Sequence, residues 1–295
     1  MRKAVLFAVL AIALLSAMDV AIKLLAERYP VLQVAFLRYA AGGLVASVGM
    51  ALVRPGWPSR ETAVANGSRA LLVVVTATSF FYAISTLPLA EAIALSFVAP
   101  LLIALFGILI LKEHLTARVA ATLAIGFTGM LMIVGGRIGA GAFQGGAVLG
   151  VAAALLSALT YALSLVYLRH RAQRDPVITI VWFQNAVPFL ILALPAALVW
   201  VPPAPADLAL FAAVGLLGIG GHLSMARAFA RAPAAALAPI EYTALVWGGL
   251  WGFLVFAELP TLATLAGASL IVAGTLWGQW PAMRPALGGA RAENA

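Results

Sequence analysis

Apolar runs of about 20 residues recur along this chain with only short polar breaks between them, and each is long enough to cross the hydrocarbon core of a bilayer. A soluble core could not absorb them. Of the 295 residues, 64% are hydrophobic and only 9% charged, too few to cover the outside of a water-soluble fold. The chain therefore reads as a polytopic membrane protein. Its net charge of +8 would suggest nucleic acid in a soluble domain, but the cations sit at the ends of apolar runs, where they orient a chain in the bilayer. Cysteine is absent, which excludes disulfides, thiolate chemistry and cysteine–metal sites.

Ten spans are predicted: 4–25, 31–53, 69–88, 91–111, 117–135, 146–168, 177–200, 207–230, 234–257 and 260–281. The breaks carry turn and polar residues, such as Glu27-Arg28-Tyr29-Pro30, Lys112-Glu113-His114 and Arg174-Asp175-Pro176. A basic, then apolar start has the form of a signal peptide. Its Ala13-Leu14-Leu15-Ser16-Ala17 nevertheless returns as Ala154-Leu155-Leu156-Ser157-Ala158, so its removal would break an internal repeat.

The repeat is clearest between Ser79–Thr116 and Ser224–Thr261. Setting Glu113 against Glu258 brings Pro88 onto Pro233, Phe97 onto Tyr242, Gly107 onto Gly252 and Gly129 onto Gly274. The organisation expected is a five-helix unit over 1–135, a Gly-rich link over 136–145, a second unit over 146–281 and a disordered polar tail over 282–295. With the N-terminus cytoplasmic, fourteen Lys and Arg, Arg69 among them, fall in inside segments and only Arg28 and Arg137 fall outside. Both termini are thus expected in the cytoplasm. Five spans per half is an odd number, so the second half enters the membrane inverted. The fold class expected is an all-α membrane protein of ten transmembrane helices built as two inverted five-helix repeats. In such proteins a substrate site lies near the midplane, and rocking of the halves exposes it to alternate sides.

The two copies resemble the paired EamA modules of the drug/metabolite transporter superfamily. The residues that carry the resemblance are Tyr82-Ala83, Ala90, Ala92, Pro100, Glu113, Thr116, Gly126 and Gly129 in the first half. In the second they are Ala235, Glu241-Tyr242-Thr243, Trp247, Gly252, Glu258, Pro260 and Gly274. The resemblance spans about 4–281 and is closest to the amino-acid exporters, including those for aromatic amino acids. It implies a ten-helix carrier of the bacterial inner membrane that moves small organic metabolites outward, with drug or other-metabolite efflux as the alternative. The partners implied are a small-molecule substrate and membrane lipid; no cofactor, nucleic acid or obligatory protein partner is indicated.

Charges within spans are costly and mark candidate functional positions. Asp19 and Lys23 share a face of the first helix, and Arg38 lies about 10 Å deep in the second. A substrate contact competes here with a plain Asp19–Arg38 ion pair and a snorkelling Lys23. In the second half Asp19 becomes Thr160 beside Tyr161, and Arg38-Tyr39 becomes Gln184-Asn185, so neutral hydrogen-bonding groups replace charges. Gln184 and Asn185 suit a polar head group or a bond between helices worth about 1 kcal/mol. Tyr39, Tyr82, Phe97, Tyr161, Trp182, Tyr242, Trp247 and Trp251 are candidates for an aromatic cavity wall. Trp57, Trp200, Trp277 and Trp280 fit an interfacial belt. Glu241, whose repeat mate is Ser96, either carries a proton or pairs with Arg227, the pair being the favoured expectation. His222 reads as a packing and hydrogen-bonding residue. Pro88, Pro100, Pro233, Gly248, Gly252, Glu113 and Glu258 are candidate gate or hinge elements, with Gly248 and Gly252 spaced for close helix approach.

Other classes lack residues to run on. No serine-nucleophile or P-loop motif occurs, one intramembrane aspartate cannot make an aspartyl dyad, and three scattered histidines make no metal cluster. No charged ring or filter-like repeat suggests a channel.

Overall fold

A computed structural model describes residues 1–86, 95–135, 147–256 and 262–283. Among these residues the chain is helical, with no strand. The long elements are α1 (Arg2–Ala26), α2 (Val31–Val53), α3 (Arg60–Thr86), α4 (Ala99–Leu111), α5 (Ala117–Gly135) and α6 (Ala147–Ala172). They continue as α7 (Val177–Leu198), α8 (Leu208–Arg231), the single-turn α9 (Ala234–Leu237), α10 (Thr243–Phe256) and α11 (Leu262–Met283). Six of them, α1, α2, α3, α6, α7 and α8, are long and apolar enough to cross a membrane, and α4 and α5 add shorter apolar helices. Pro88, Glu258, the 136–145 link and residues 284–295 of the tail lie outside the described residues.

Proline starts helices at matching places. Pro30 caps α2 and Pro176 caps α7, both in an extended conformation with φ near −57°, where the missing N–H costs nothing. The start of α3 differs from the expected span. Ser59 Oγ accepts the Thr62 N–H at 3.1 Å, an N-cap that begins the helix at Arg60 instead of residue 69. Arg69 therefore lies in the third turn of α3, buried at 2% exposure, and is no loop cation.

Helices from the two halves interleave. α1 packs on α8 and α3 on α6; α2 packs on α7 and α5 on α11; α1 meets α10 and α4 meets α6. Glycine permits two of the tightest contacts: a Cβ at Gly215 would overlap Ala41, and one at Gly129 would meet the Gly267 carbonyl at 2.8 Å. The opposite ends of the bundle are marked by side chains. Tyr29, after α1, bonds Asp207, before α8, whereas Arg231 at the far end of α8 lies over the Phe7 ring near the start of α1.

Among the described residues the helical run is broken at two places that border a cavity. Residues 97 and 98 form a turn ahead of α4, and Ala238–Tyr242 form a 3-10 segment between α9 and α10. Pro100 stands at the start of α4 and Pro239 at the start of the 3-10 segment, so neither kinks a continuous helix. Pro188 and Pro195 do lie inside α7. Pro100 has Leu245 as its repeat mate, yet both halves interrupt the helix at equivalent positions.

Candidate functional site

A cavity of about 400 Å³ lies where the halves meet, with walls from α1, α2, α3, α4, α6, α7, α8, α10 and the 3-10 segment. That volume suits a small organic molecule. Asp19 on α1 is open to it, and Lys23, one helical turn further on, shares the same wall. Asp19 and Arg38 both line the cavity without closing to an ion pair, since the ion pairs among the described residues join other groups. The simple Asp19–Arg38 pair is thus not formed.

Arg38 is 5% exposed, and its Nη2 donates to His222 Nε2 at 2.7 Å while its Nε reaches Met18 Sδ at 3.1 Å. A guanidinium has only donors, so His222 accepts through Nε2 and its ring is neutral. The Arg38 guanidinium also lies 4.3 Å from the Tyr39 ring centroid. Next to it, Arg69 Nη2 donates to Gln184 Oε1 at 2.7 Å and Nη1 to Ser164 Oγ at 3.3 Å. The cavity wall thus holds two guanidiniums supported by neutral partners.

Glu241 comes into the wall from the 3-10 segment and accepts the Tyr161 hydroxyl at 3.0 Å. It does not pair with Arg227, which is exposed and lies 5.9 Å from the Phe7 ring centroid. The physical reason is the broken helix: a 3-10 segment places residue 241 toward α6, away from the end of α8 that carries Arg227. A polar strip continues from there, with Ser157 Oγ donating to the Thr76 carbonyl at 3.0 Å and Thr76 Oγ1 to Thr160 Oγ1 at 2.8 Å.

The aromatic candidates divide. Phe97, Tyr39 and Tyr161 line the cavity. Tyr242 lies behind Phe97, stacked on it with ring centroids 6.0 Å apart at 22°, and fully buried. A Cβ at Gly126 would overlap the Tyr242 ring, which explains a glycine there. The repeat mates Phe97 and Tyr242 are therefore stacked on each other. Tyr82 is 43% exposed and outside the cavity wall. Trp182 donates to Ser47 Oγ at 3.0 Å, tying α7 to α2, and Asn185 turns to Gly42 and the Val181 carbonyl. Trp247 packs on the core, and Trp251 is half-buried off the cavity.

Among the gate and hinge candidates, Pro100 and Gly248 line the cavity, and Gly252 falls on α10. Gly248 makes no close approach: a Cβ there would meet nothing within 4 Å among the described residues. Glu113 has a defined task. Its carboxylate accepts the Ala234 and Ala235 N–H groups, both at 3.1 Å, and so caps α9 just after Pro233. Lys112, left-handed at φ 55°, turns the chain to bring Glu113 there, and Arg169 Nε stands 3.4 Å from the same carboxylate.

Sequence reasoning missed Arg69, Ser164 and Thr76. The signal for Arg69 was Ser59 three residues before Thr62, a helix start that moves Arg69 into the span. Ser164 is the repeat mate of Lys23, which could have drawn attention to it.

The EamA-like transporter family matches this chain twice, over residues 2–135 and 148–277. The chain belongs to that family. It is 32% identical over 281 residues to the pseudopaline exporter CntI of Pseudomonas aeruginosa, an alignment covering 92% of this chain and 94% of the relative. It is 26% identical over 263 residues to an S-adenosylmethionine uptake transporter of Rickettsia bellii, covering 89% of this chain and 88% of that one. A solved crystal structure at 24% identity superposes with a TM-score of 0.81, covering 95% of this chain and 99% of the other, and shares the fold. The chain is a membrane transporter of the drug/metabolite superfamily, as its resemblance implied.

Proposed function

We propose that this protein is a secondary carrier that exports amino acids or related small metabolites across the bacterial inner membrane by alternating access of two inverted repeats. The observation that carries the reading is the cavity of about 400 Å³ at the junction of the halves, lined by side chains of both charge signs beside Phe97 and Tyr161. Such a wall suits a molecule with a charged head and an apolar or aromatic side chain. Ten membrane spans in two inverted units are supported by the two-fold family match and by contacts that survive exchange of the halves: α1 with α8 answers α3 with α6, and α1 with α10 answers α4 with α6. Broken helices at Phe97 and Ala238–Tyr242 suit a midplane site, because freed backbone groups are tolerated where they line a cavity.

Relatives named for export of pseudopaline and for uptake of S-adenosylmethionine place cargo and direction in the hands of a flux assay. Proteoliposomes loaded with a panel of labelled amino acids, with and without a pH gradient, measure both. Saturable efflux of at least one amino acid is expected, and no saturable movement of any would sink this reading. Insensitivity to the gradient would leave facilitated diffusion and remove a proton role for Glu241.

A further inference from the structure

Resting on the carrier reading above, we propose that Arg38 and Arg69 form a carboxylate seat in the cavity wall, and that the substrate is amphoteric, with its ammonium directed to Asp19 and Glu241. Both arginines are at least nine-tenths buried, at 5% and 2% exposure. Each has a buried donor without a partner among the described residues: Nη1 of Arg38 and Nε of Arg69. The partners they do have are a thioether sulfur, a neutral imidazole, a hydroxyl and an amide oxygen, so none carries a negative charge. A guanidinium does not lose its proton in a protein, so neither charge can be relieved by deprotonation. Buried cations with open donors call for an anion.

Among the described residues no carboxylate stands within 4 Å of either guanidinium, and Asp19, which shares the cavity wall with Arg38, does not close on it. The carboxylates within 4 Å of a cation among the described residues are Glu61, Glu113, Asp175 and Asp207, and none lines the cavity. Asp19 is open to the cavity, and among the described residues Glu241 accepts from the neutral Tyr161 hydroxyl alone. Lys23 stands on the wall beside Asp19, but a purely anionic substrate would leave Glu241 with no cation within 4 Å among the described residues, and a purely cationic one would leave the open arginine donors without an acceptor. A molecule carrying both signs answers both walls, with a planar carboxylate matching the guanidinium fork.

The test uses purified full-length protein in detergent and matched triplets of probes. Each triplet contains an amino acid, the amine lacking its carboxylate and the acid lacking its ammonium, built on the phenylalanine, leucine, histidine and glutamate side chains. Thermal unfolding is read during titration. The intact amino acid of at least one triplet is expected to bind at least about tenfold more tightly than either truncated analogue, the scale of a lost charge-assisted hydrogen bond. Arg38→Gln and Arg69→Gln should remove that preference over the amine, whereas Arg231→Gln, on an exposed side chain, should keep it. Arg69→Lys retains the charge without the fork and should retain only part of it. The comparison on the unaltered protein stands even where a variant fails to fold. An amine binding as tightly as its amino acid, or no amino acid binding at all, would overturn the seat. Tight amino-acid binding without vesicle flux would instead defeat the carrier reading and leave the seat in place.

Discussion

The two ends of the helical bundle are closed by the same device built from different chemistry. At one end, the loop before Pro30 presents Tyr29, whose hydroxyl donates to Asp207 Oδ2 at 2.7 Å and accepts the Ala204 N–H at 2.9 Å. At the other, the loop before Pro176 presents the repeat-equivalent Asp175, which accepts from Arg171 at 2.7 and 2.8 Å, from Asn66 at 2.7 Å and from Thr62 at 3.1 Å. Both link a loop of one half to the start of a helix in the other. The Asp175 end is the denser: its two principal charges are each 5% exposed, and Glu113 with Arg169 adds a second network beside it. At the Tyr29 end the cation that bonds Asp207 is Arg28, 67% exposed, whose pairing is screened by solvent and contributes little. A second cavity of about 270 Å³ also lies at the Tyr29 end, bordered by Lys23, Glu27 and Val31 and sharing Ile22 and Phe81 with the main one. The lesson is that equivalent loops need not make equally firm closures.

The sharpest way to break this comparison is Asp175→Ala, which takes the acceptor from Asn66 and Thr62 and leaves buried Arg171 with the exposed Glu61 as its ion partner among the described residues. Loss of one partner of a buried charge pair costs about 3–5 kcal/mol, so a large fall in unfolding midpoint is expected. Glu113→Ala comes next. It removes the cap on two backbone N–H groups and the partner of Arg169, with an expected cost of about 2–3 kcal/mol in the same measurement. Tyr29→Phe deletes one hydroxyl between Asp207 and Ala204 and should cost about 1–2 kcal/mol. Equal losses at Asp175 and Tyr29 would remove the asymmetry.

The smallest effect is a pH dependence. Burial of the Asp175 carboxyl opposes its ionisation, but hydrogen bonds from Arg171, Asn66 and Thr62 outweigh it and hold the group below its ordinary 3.8. A depressed carboxyl contributes stability above its unfolded value, and the contribution is lost as pH falls through the folded one. The stability difference between the unaltered protein and Asp175→Asn should therefore be constant above about pH 5 and shrink below about pH 4. A difference that grows on acidification would contradict the assigned network.

What the sequence determined by itself is the part set by covalent order and solvent. Long apolar runs must be helical in a bilayer because no water satisfies their backbone groups, and equivalent spacing in the two halves made Phe97 and Tyr242 mates before any contact was known. Pro30, Pro176 and Ser59 mark helix starts in the same local way. Only the tertiary structure decided which side each helix presents. Helices apolar on nearly every side have no polar stripe to fix their rotation, so Tyr82, Trp182, Asn185, Trp247 and Trp251 were as plausible in the wall as Phe97 and Tyr161. Packing turned them outward, against Gly42 or into the core, and brought Arg38 and Arg69, from different helices, into one wall. Those two positions are set by contacts across the halves, and no local rule of sequence encodes such contacts.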